Sequence, residues 1–154
     1  MDIVELLAQD GVVLRTGVSS KRQALNALAT LAAEQFGVEE SRTVEALLER
    51  EALGSTGLGG GVAVAHARIE GLERVCGLFI RLDQPIAWAS VDERPVDLIF
   101  GLFAPPREGA EHLRALAAVS RFLRSAERRE QLRAAGSADE ILALLVDAAA
   151  ARAA

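Results

Sequence analysis

The chain is poor in aromatic residues, cysteine and histidine, and it holds no long hydrophobic run. Aromatics make up 4% of 154 residues, so Leu, Val, Ile and Ala must fill the core. The single cysteine, Cys76, cannot form an internal disulfide. It lies in an apolar stretch and reads as a small buried hydrophobe, so nothing calls for an oxidising compartment. The longest apolar run, Leu98 to Pro106, is about half of a membrane span. Met1-Asp2-Ile3-Val4-Glu5 lacks the basic region of a signal peptide, and a soluble cytoplasmic protein without membrane insertion is expected. An excess of basic charge is also missing: 17 Lys and Arg stand against 22 Asp and Glu, a net charge of -5. That argues against nucleic acid as a partner. The local cluster of Arg121, Arg124, Arg128, Arg129 and Arg133 reads as a solvated helix face interleaved with Glu127 and Glu130. Two histidines and one cysteine at distant positions give no metal-ligand spacing. No cofactor is expected.

What is present suits one globular domain over residues 1–154: 51% hydrophobic and 25% charged residues, with no repeats and no dividing linker. Leu6-Leu7-Ala8 suggests a short leading helix, and Val12-Val13-Leu14 a short strand. Ser20 and Gln23 form a capping-box pattern before a helix carrying Ala24, Leu25, Leu28, Leu31 and Ala32, with Gly37 as its stop. A second helix is expected from about Glu39 to Ala52, with Val44, Leu47 and Leu48 inward. Gly54 to Gly61 contains five glycines, and no regular element is expected there. Val62 to Ala65 reads as a buried strand with His66 at its far end. Val75 to Leu82 and Val96 to Ala104 read as two more strands, the latter stopped by Pro105-Pro106. A turn lies around Asp92 to Pro95. The remainder is helical: about Ala110 to Ser125 with Leu113, Leu116, Ala117, Val119, Ser120 and Leu123 as its stripe, a short helix through Leu132, and a last helix capped by Ser137 and Glu140. The Ala-rich tail from about residue 148 is expected to fray. Strands buried on both faces among helices indicate an α/β fold, a mixed β-sheet sandwiched between helices.

The glycine-rich turn is the most unusual local feature. It matches neither a Walker P-loop, nor G-x-G-x-x-G, nor the G-x-S-x-G elbow. A backbone with many small N–H donors beside Ser55 and Thr56 can form an anion-binding nest; it can equally be a plain helix-to-strand connection. Arg50 ends its helix beside this turn. His66 follows it, and His112 opens a helix after another strand. Such positions can meet at one edge of a sheet, where α/β proteins build sites. Taken singly, each also reads as structural. Ser55 as a hydrolase nucleophile lacks an acid to orient its base.

Arg50-Glu51-Ala52-Leu53-Gly54-Ser55-Thr56-Gly57 running through to Ala65-His66 resembles the active-site segment of enzyme IIA proteins of the bacterial phosphoenolpyruvate-dependent phosphotransferase system. The likeness is to the fructose/mannitol type, and most of all to the nitrogen-regulatory enzyme IIA. Gln84-Pro85-Ile86, Asp92, Pro95-Val96-Asp97-Leu98 and His112-Leu113-Arg114-Ala115-Leu116 continue the likeness in order. The resemblance implies a phosphotransferase with a phosphohistidine intermediate. His66 would be the phosphoacceptor, with Arg50 and His112 as its active-site companions. Ser55, Thr56 and Gly57 would complete the phosphate cradle. The donor implied is a histidine-containing phosphocarrier protein. The output implied is control of regulated partner proteins, the alternatives being transfer to a sugar transporter subunit or a non-phosphorylated interaction module. A carrier-docking apolar surface is expected around Leu58. Ala65 and Ala67 stand where the family has Pro and Gly, and Arg68 where it often has Lys; the exchange of Pro and Gly alters backbone freedom on both sides of His66.

Overall fold

The computed structural model describes residues 2–107 and 109–153, the side chains of Gln9 and 147–153 excepted. Its elements, in order, are α1 (Ile3–Leu6), β1 (Leu7–Arg15), α2 (Lys21–Phe36), α3 (Glu40–Ala52), β2 (Gly57–Gly59), β3 (Val62–Arg68), β4 (Cys76–Ile86), β5 (Val96–Ala104), α4 (Ala110–Leu123), α5 (Ala126–Ala134) and α6 (Ala138–Ala153). One five-stranded sheet has the order β1-β4-β5-β3-β2. Strand β1 runs parallel to β4, and β3 parallel to β5; the β4–β5 and β2–β3 pairs are antiparallel. The sheet is therefore mixed and lies between helices, as the sequence pattern indicates.

Alternation along the strands sorts the core into two layers. Ala63, Ala65, Leu78, Ile80, Ile99 and Phe103 pack with Leu25, Leu28 and Leu47 of α2 and α3. Val62, Val64, Phe79, Phe100 and Leu102 pack with Val119, Phe122, Leu132, Ile141 and Leu145 of α4, α5 and α6. The strands are apolar on both sides because both faces are covered.

Several sequence expectations shift. The leading helix ends at Leu6; Leu7 and Ala8 open β1 instead, Leu7 pairing with Gly77 of β4. Ladder bonds and packing of these two side chains on opposite faces outweigh a single helical turn. The glycine segment is not wholly irregular. Gly57 pairs with Ala63, and Gly59, Gly60 and Gly61 all have positive φ, so a tight hairpin turn forms where only glycine is unstrained. Strand β4 continues past Leu82 to Ile86, which pairs with Val96 beyond an irregular stretch that accommodates Pro85. His66 lies within β3 rather than at its end, opposite Leu102. In α3 Leu47 is buried, with Val44 and Leu48 half-buried. In α4 the buried side is His112, Ala115, Ala118, Val119, Phe122 and Leu123, which turns Leu113 and Ala117 outward. Where fraying is expected beyond residue 147, the backbone continues as α6 to Ala153.

Both capping boxes form with one change. Ser20 and Ser137 accept the N–H of Gln23 and Glu140 at 3.2 and 3.1 Å. The returning side chains bond the N–H one residue before the cap, Ser19 at 2.7 Å and Gly136 at 2.6 Å. The arginine cluster is not a uniform solvated face. Arg133 grips the Asp97 carboxylate and donates to the Gly60 carbonyl at 2.7 Å, which ties α5 to the hairpin. Arg129 donates to the Leu123 and Arg124 carbonyls at the end of α4, and Arg128 lies 4.6 Å from the Phe122 ring centroid.

Candidate functional site

Strand β2 is short and pairs with β3 only at Val62 and Ala63. Among the described residues, β3 beyond Val64 has no strand on its outer side. The open edge lies between α3 and α4. A cavity of about 770 Å³ forms there, lined by Arg50 and Leu53 from α3 and its end, His66 and Arg68 from β3, and His112 and Leu113 from α4. The three residues singled out as a possible catalytic set, at positions 50, 66 and 112, thus meet in one place.

The geometry of the His66 ring settles its tautomer. Nδ1 lies 3.0 Å from the Val64 carbonyl, which can only accept, so Nδ1 carries the proton. Nε2 receives the Arg50 Nε–H at 3.0 Å, a group that can only donate. The lone pair of a neutral ring therefore sits on Nε2, facing the cavity cation. Burial pushes the proton affinity of His66 below the ordinary histidine range. The Val64 carbonyl raises it, the Arg50 charge lowers it further, and Glu51 partly opposes that. The net direction keeps the imidazole neutral, which is the nucleophilic form. His112 is buried and stands edge-on to His66, with ring centroids 5.6 Å apart and planes at 76°.

Arg50 is itself held in place. Its Nη1 donates to the Gly54 carbonyl at 2.7 Å while Nε is on His66. Position 50 in the last turn of α3 also complements that helix's dipole. A planar fork with several donors suits an incoming oxyanion. Ala67 requires none of glycine's freedom: it pairs with Phe103 in regular β3, and non-glycine residues with left-handed φ are Ala89 and Glu93 among the described residues. The loss of Pro and Gly beside His66 leaves the strand regular.

Ser55, Thr56 and Gly57 are not among the residues that line the cavity. The Ser55 hydroxyl donates to the Trp88 carbonyl at 3.0 Å, and the Gly57 N–H donates to Ser55 Oγ at 3.1 Å. The Thr56 hydroxyl donates to Glu51, and its N–H reaches the same carboxylate at 3.2 Å. At Gly57 a Cβ would stand 2.0 Å from Ser90 Oγ, so close packing requires the glycine. Leu58 is exposed, as expected of it, but lies off the cavity; the apolar rim there is Leu53 and Leu113, 85% and 68% exposed. Sequence reasoning passed over Glu51, Lys21 and Trp88, although Lys21 is the only lysine of the chain and Trp88 its only tryptophan. Among the described residues, no group of three or more His, Cys, Asp or Glu is placed to hold a metal ion. No helix there is long and apolar enough to cross a membrane.

Residues 5–148 match the family model described as phosphoenolpyruvate-dependent sugar phosphotransferase system, EIIA 2. A nitrogen regulatory protein of Bradyrhizobium diazoefficiens is 46% identical over 145 residues, covering 94% of this chain and 95% of that protein. One from Escherichia coli is 37% identical over 134 residues, covering 86% and 82%. The crystal structure of the nitrogen regulatory protein IIA-Ntr of Neisseria meningitidis superposes with a TM-score of 0.85 at 34% identity, covering 93% of this chain and 98% of that one. The chain belongs to the type 2 EIIA family of the phosphoenolpyruvate-dependent phosphotransferase system, with its likeness to the nitrogen regulatory proteins of that family.

Proposed function

We propose that His66 accepts a phosphoryl group on Nε2 from the phosphohistidine of a small phosphocarrier protein, and that the phosphorylation state of the chain regulates partner proteins. The observation that carries this reading is the fixed tautomer: Val64 holds the proton on Nδ1 and leaves the Nε2 lone pair toward the cavity. In the transfer, Nε2 forms a bond to phosphorus as the carrier's N–P bond breaks, and that bond's electron pair returns to the carrier's ring. Arg50 gives up Nε2 as the phosphoryl group arrives and turns its donors to the phosphoryl oxygens. His112, edge-on to the acceptor ring, is the third member of the site. Little covalent help is needed, because phosphoryl transfer asks mainly for alignment and charge stabilisation. The carrier docks over the apolar rim of Leu53 and Leu113. Cytoplasmic location follows from such a donor. The regulatory output rests on the nitrogen regulatory proteins, which are 46% and 37% identical.

The test is incubation with labelled phosphoenolpyruvate, the general phosphotransferase enzyme and the carrier. One acid-labile phosphate per chain is expected, lost in His66→Ala. Label that survives this substitution, or no label on the wild type, rejects the reading. Onward transfer of the label to a sugar transporter subunit would reject the regulatory output.

A further inference from the structure

Glu51 follows Arg50 in α3, and its side chain is only 6% exposed. A buried carboxylate is costly unless it is paired and hydrogen-bonded. Glu51 is both. Lys21 Nζ stands 2.9 Å from Oε2, the Thr56 N–H donates to that oxygen at 3.2 Å, and the Thr56 hydroxyl donates to Oε1. The next shell closes on itself. Trp88 Nε1 donates to Thr56 Oγ1 at 3.2 Å, the Ser55 hydroxyl donates to the Trp88 carbonyl, and the Lys21 ammonium lies 5.1 Å from the Trp88 ring centroid. A compact ammonium fits between a carboxylate and an indole face where a guanidinium fork would be larger, and this is the one cationic position out of 17 that is lysine.

Four of these contacts end on Ser55 or Thr56 of the 54–57 turn, whose Gly54 carbonyl holds Arg50 Nη1. The same guanidinium places Nε on His66. Adjacent residues of one helix thus do two jobs. Glu51 fixes the turn from one side, and the turn fixes Arg50 from the other. We propose that Glu51, anchored by Lys21 and Trp88 and acting through Thr56 and the turn, is a positioning residue that sets Arg50 on the His66 Nε2 and so prepares the site for the phosphoryl group. In its kinetic consequence this inference rests on the phosphoacceptor reading of His66; in its geometric part it does not.

The experiment uses Glu51→Gln and Thr56→Val in the full chain. The valine variant keeps the Glu51–Lys21 pair and the Thr56 N–H bond to Glu51, and removes the hydroxyl with its bonds to Glu51 and Trp88 Nε1, so it decides the matter if Glu51→Gln does not fold. Two quantities are read on protein shown to be folded by circular dichroism. The first is the nitrogen–nitrogen scalar coupling across the Arg50 Nε–H···Nε2 bond in the unphosphorylated protein. The second is the rate of phosphoryl transfer from the phosphorylated carrier. The wild type is expected to show the coupling. The variants are expected to lose it and to slow transfer about tenfold to a hundredfold, the range that misplacement of a catalytic group produces. A wild type without the coupling overturns the inference. So does a variant that keeps the coupling, or one that loses it and still transfers at the wild-type rate. If the wild type shows the coupling, the variants lose it, and none takes up phosphate, the positioning arrangement stands and the phosphotransfer reading fails.

Discussion

Gly57 offers a clean test of why a glycine occupies the segment that resembles the phosphotransferase motif. Its φ is not in the left-handed region, so alanine meets no backbone strain there. The obstacle is steric. A Cβ would stand 2.0 Å from Ser90 Oγ, 2.8 Å from Ser90 Cβ and 3.2 Å from Ser90 Cα. The first two distances are far inside van der Waals contact, and Ser90 is only 5% exposed, so it cannot swing into solvent. Overpacking a tight site costs about 1–3 kcal/mol. For a chain of this size that lowers the melting temperature by about 2–12 °C. Ser90→Gly removes both offending atoms and leaves the 3.2 Å contact, which a small shift relieves. It also removes a buried hydroxyl that makes no hydrogen bond among the described residues. Urea unfolding of the two single variants and the double variant forms a cycle. Gly57→Ala is expected to be destabilised by more than about 1 kcal/mol, with at least half of the loss recovered in the double variant. A Gly57→Ala protein as stable as wild type, or a double variant showing the plain sum of the single effects, refutes packing as the reason for the glycine.

The pH behaviour of His66 has a definite sign. Its folded-state proton affinity is below the ordinary value of 6.5, chiefly through burial, so the unfolded ring takes up its proton first as pH falls. Stability from this residue is complete above pH 6.5, declines as pH falls below it, and stops declining once the folded ring also protonates. The charged or titratable neighbours are Arg50, Glu51 and His112, with Glu49 and Arg68 on the same cavity wall. Unfolding free energy of wild type minus His66→Gln, measured across this range, should rise with pH; a flat difference contradicts it. Burial pushes the Cys76 thiol up to about 12, so it should ignore a thiol reagent at pH 8 in the native protein and consume one equivalent in urea. Rapid native labelling contradicts that. Arg133→Ala removes the grip on Asp97 and the Gly60 carbonyl, and should cost about 1–2 kcal/mol in urea unfolding, reduced because the pair is partly exposed. Asp97→Ala should bring little additional loss in the double variant, and additive losses contradict a shared clamp.

The sequence by itself determined the elements that carry a local physical signature. Helix α2 is legible from Ser20, the apolar spacing of Leu25 and Leu28, and Gly37, which adopts the left-handed cap. Strand β5 is legible from the unbroken apolar run over residues 98–104, ended by two prolines. His66, the proposed acceptor, and Arg50 were within reach because a long motif carries them in order. Tertiary structure alone decided the rest. Leu7 and Ala8 became strand because β4 offers a ladder, and residues seventy positions away exert no local preference. Gly57 to Gly59 became strand because the hairpin folds them back onto Val62 and Ala63 of β3. Ser55, Thr56 and Gly57 looked like a phosphate cradle because small residues with free N–H groups are what an anion wants. The folded chain instead spends those groups on Glu51, on Trp88 and on one another. The bonds that join Lys21, Glu51, Thr56 and Trp88 cross 67 positions of sequence, from residue 21 to residue 88. A carboxylate next to an arginine reads as an ordinary helix charge until burial and partners are known. The orientation of one imidazole was the last thing settled, because it depends on a carbonyl two residues back along a strand and on a guanidinium from a different helix.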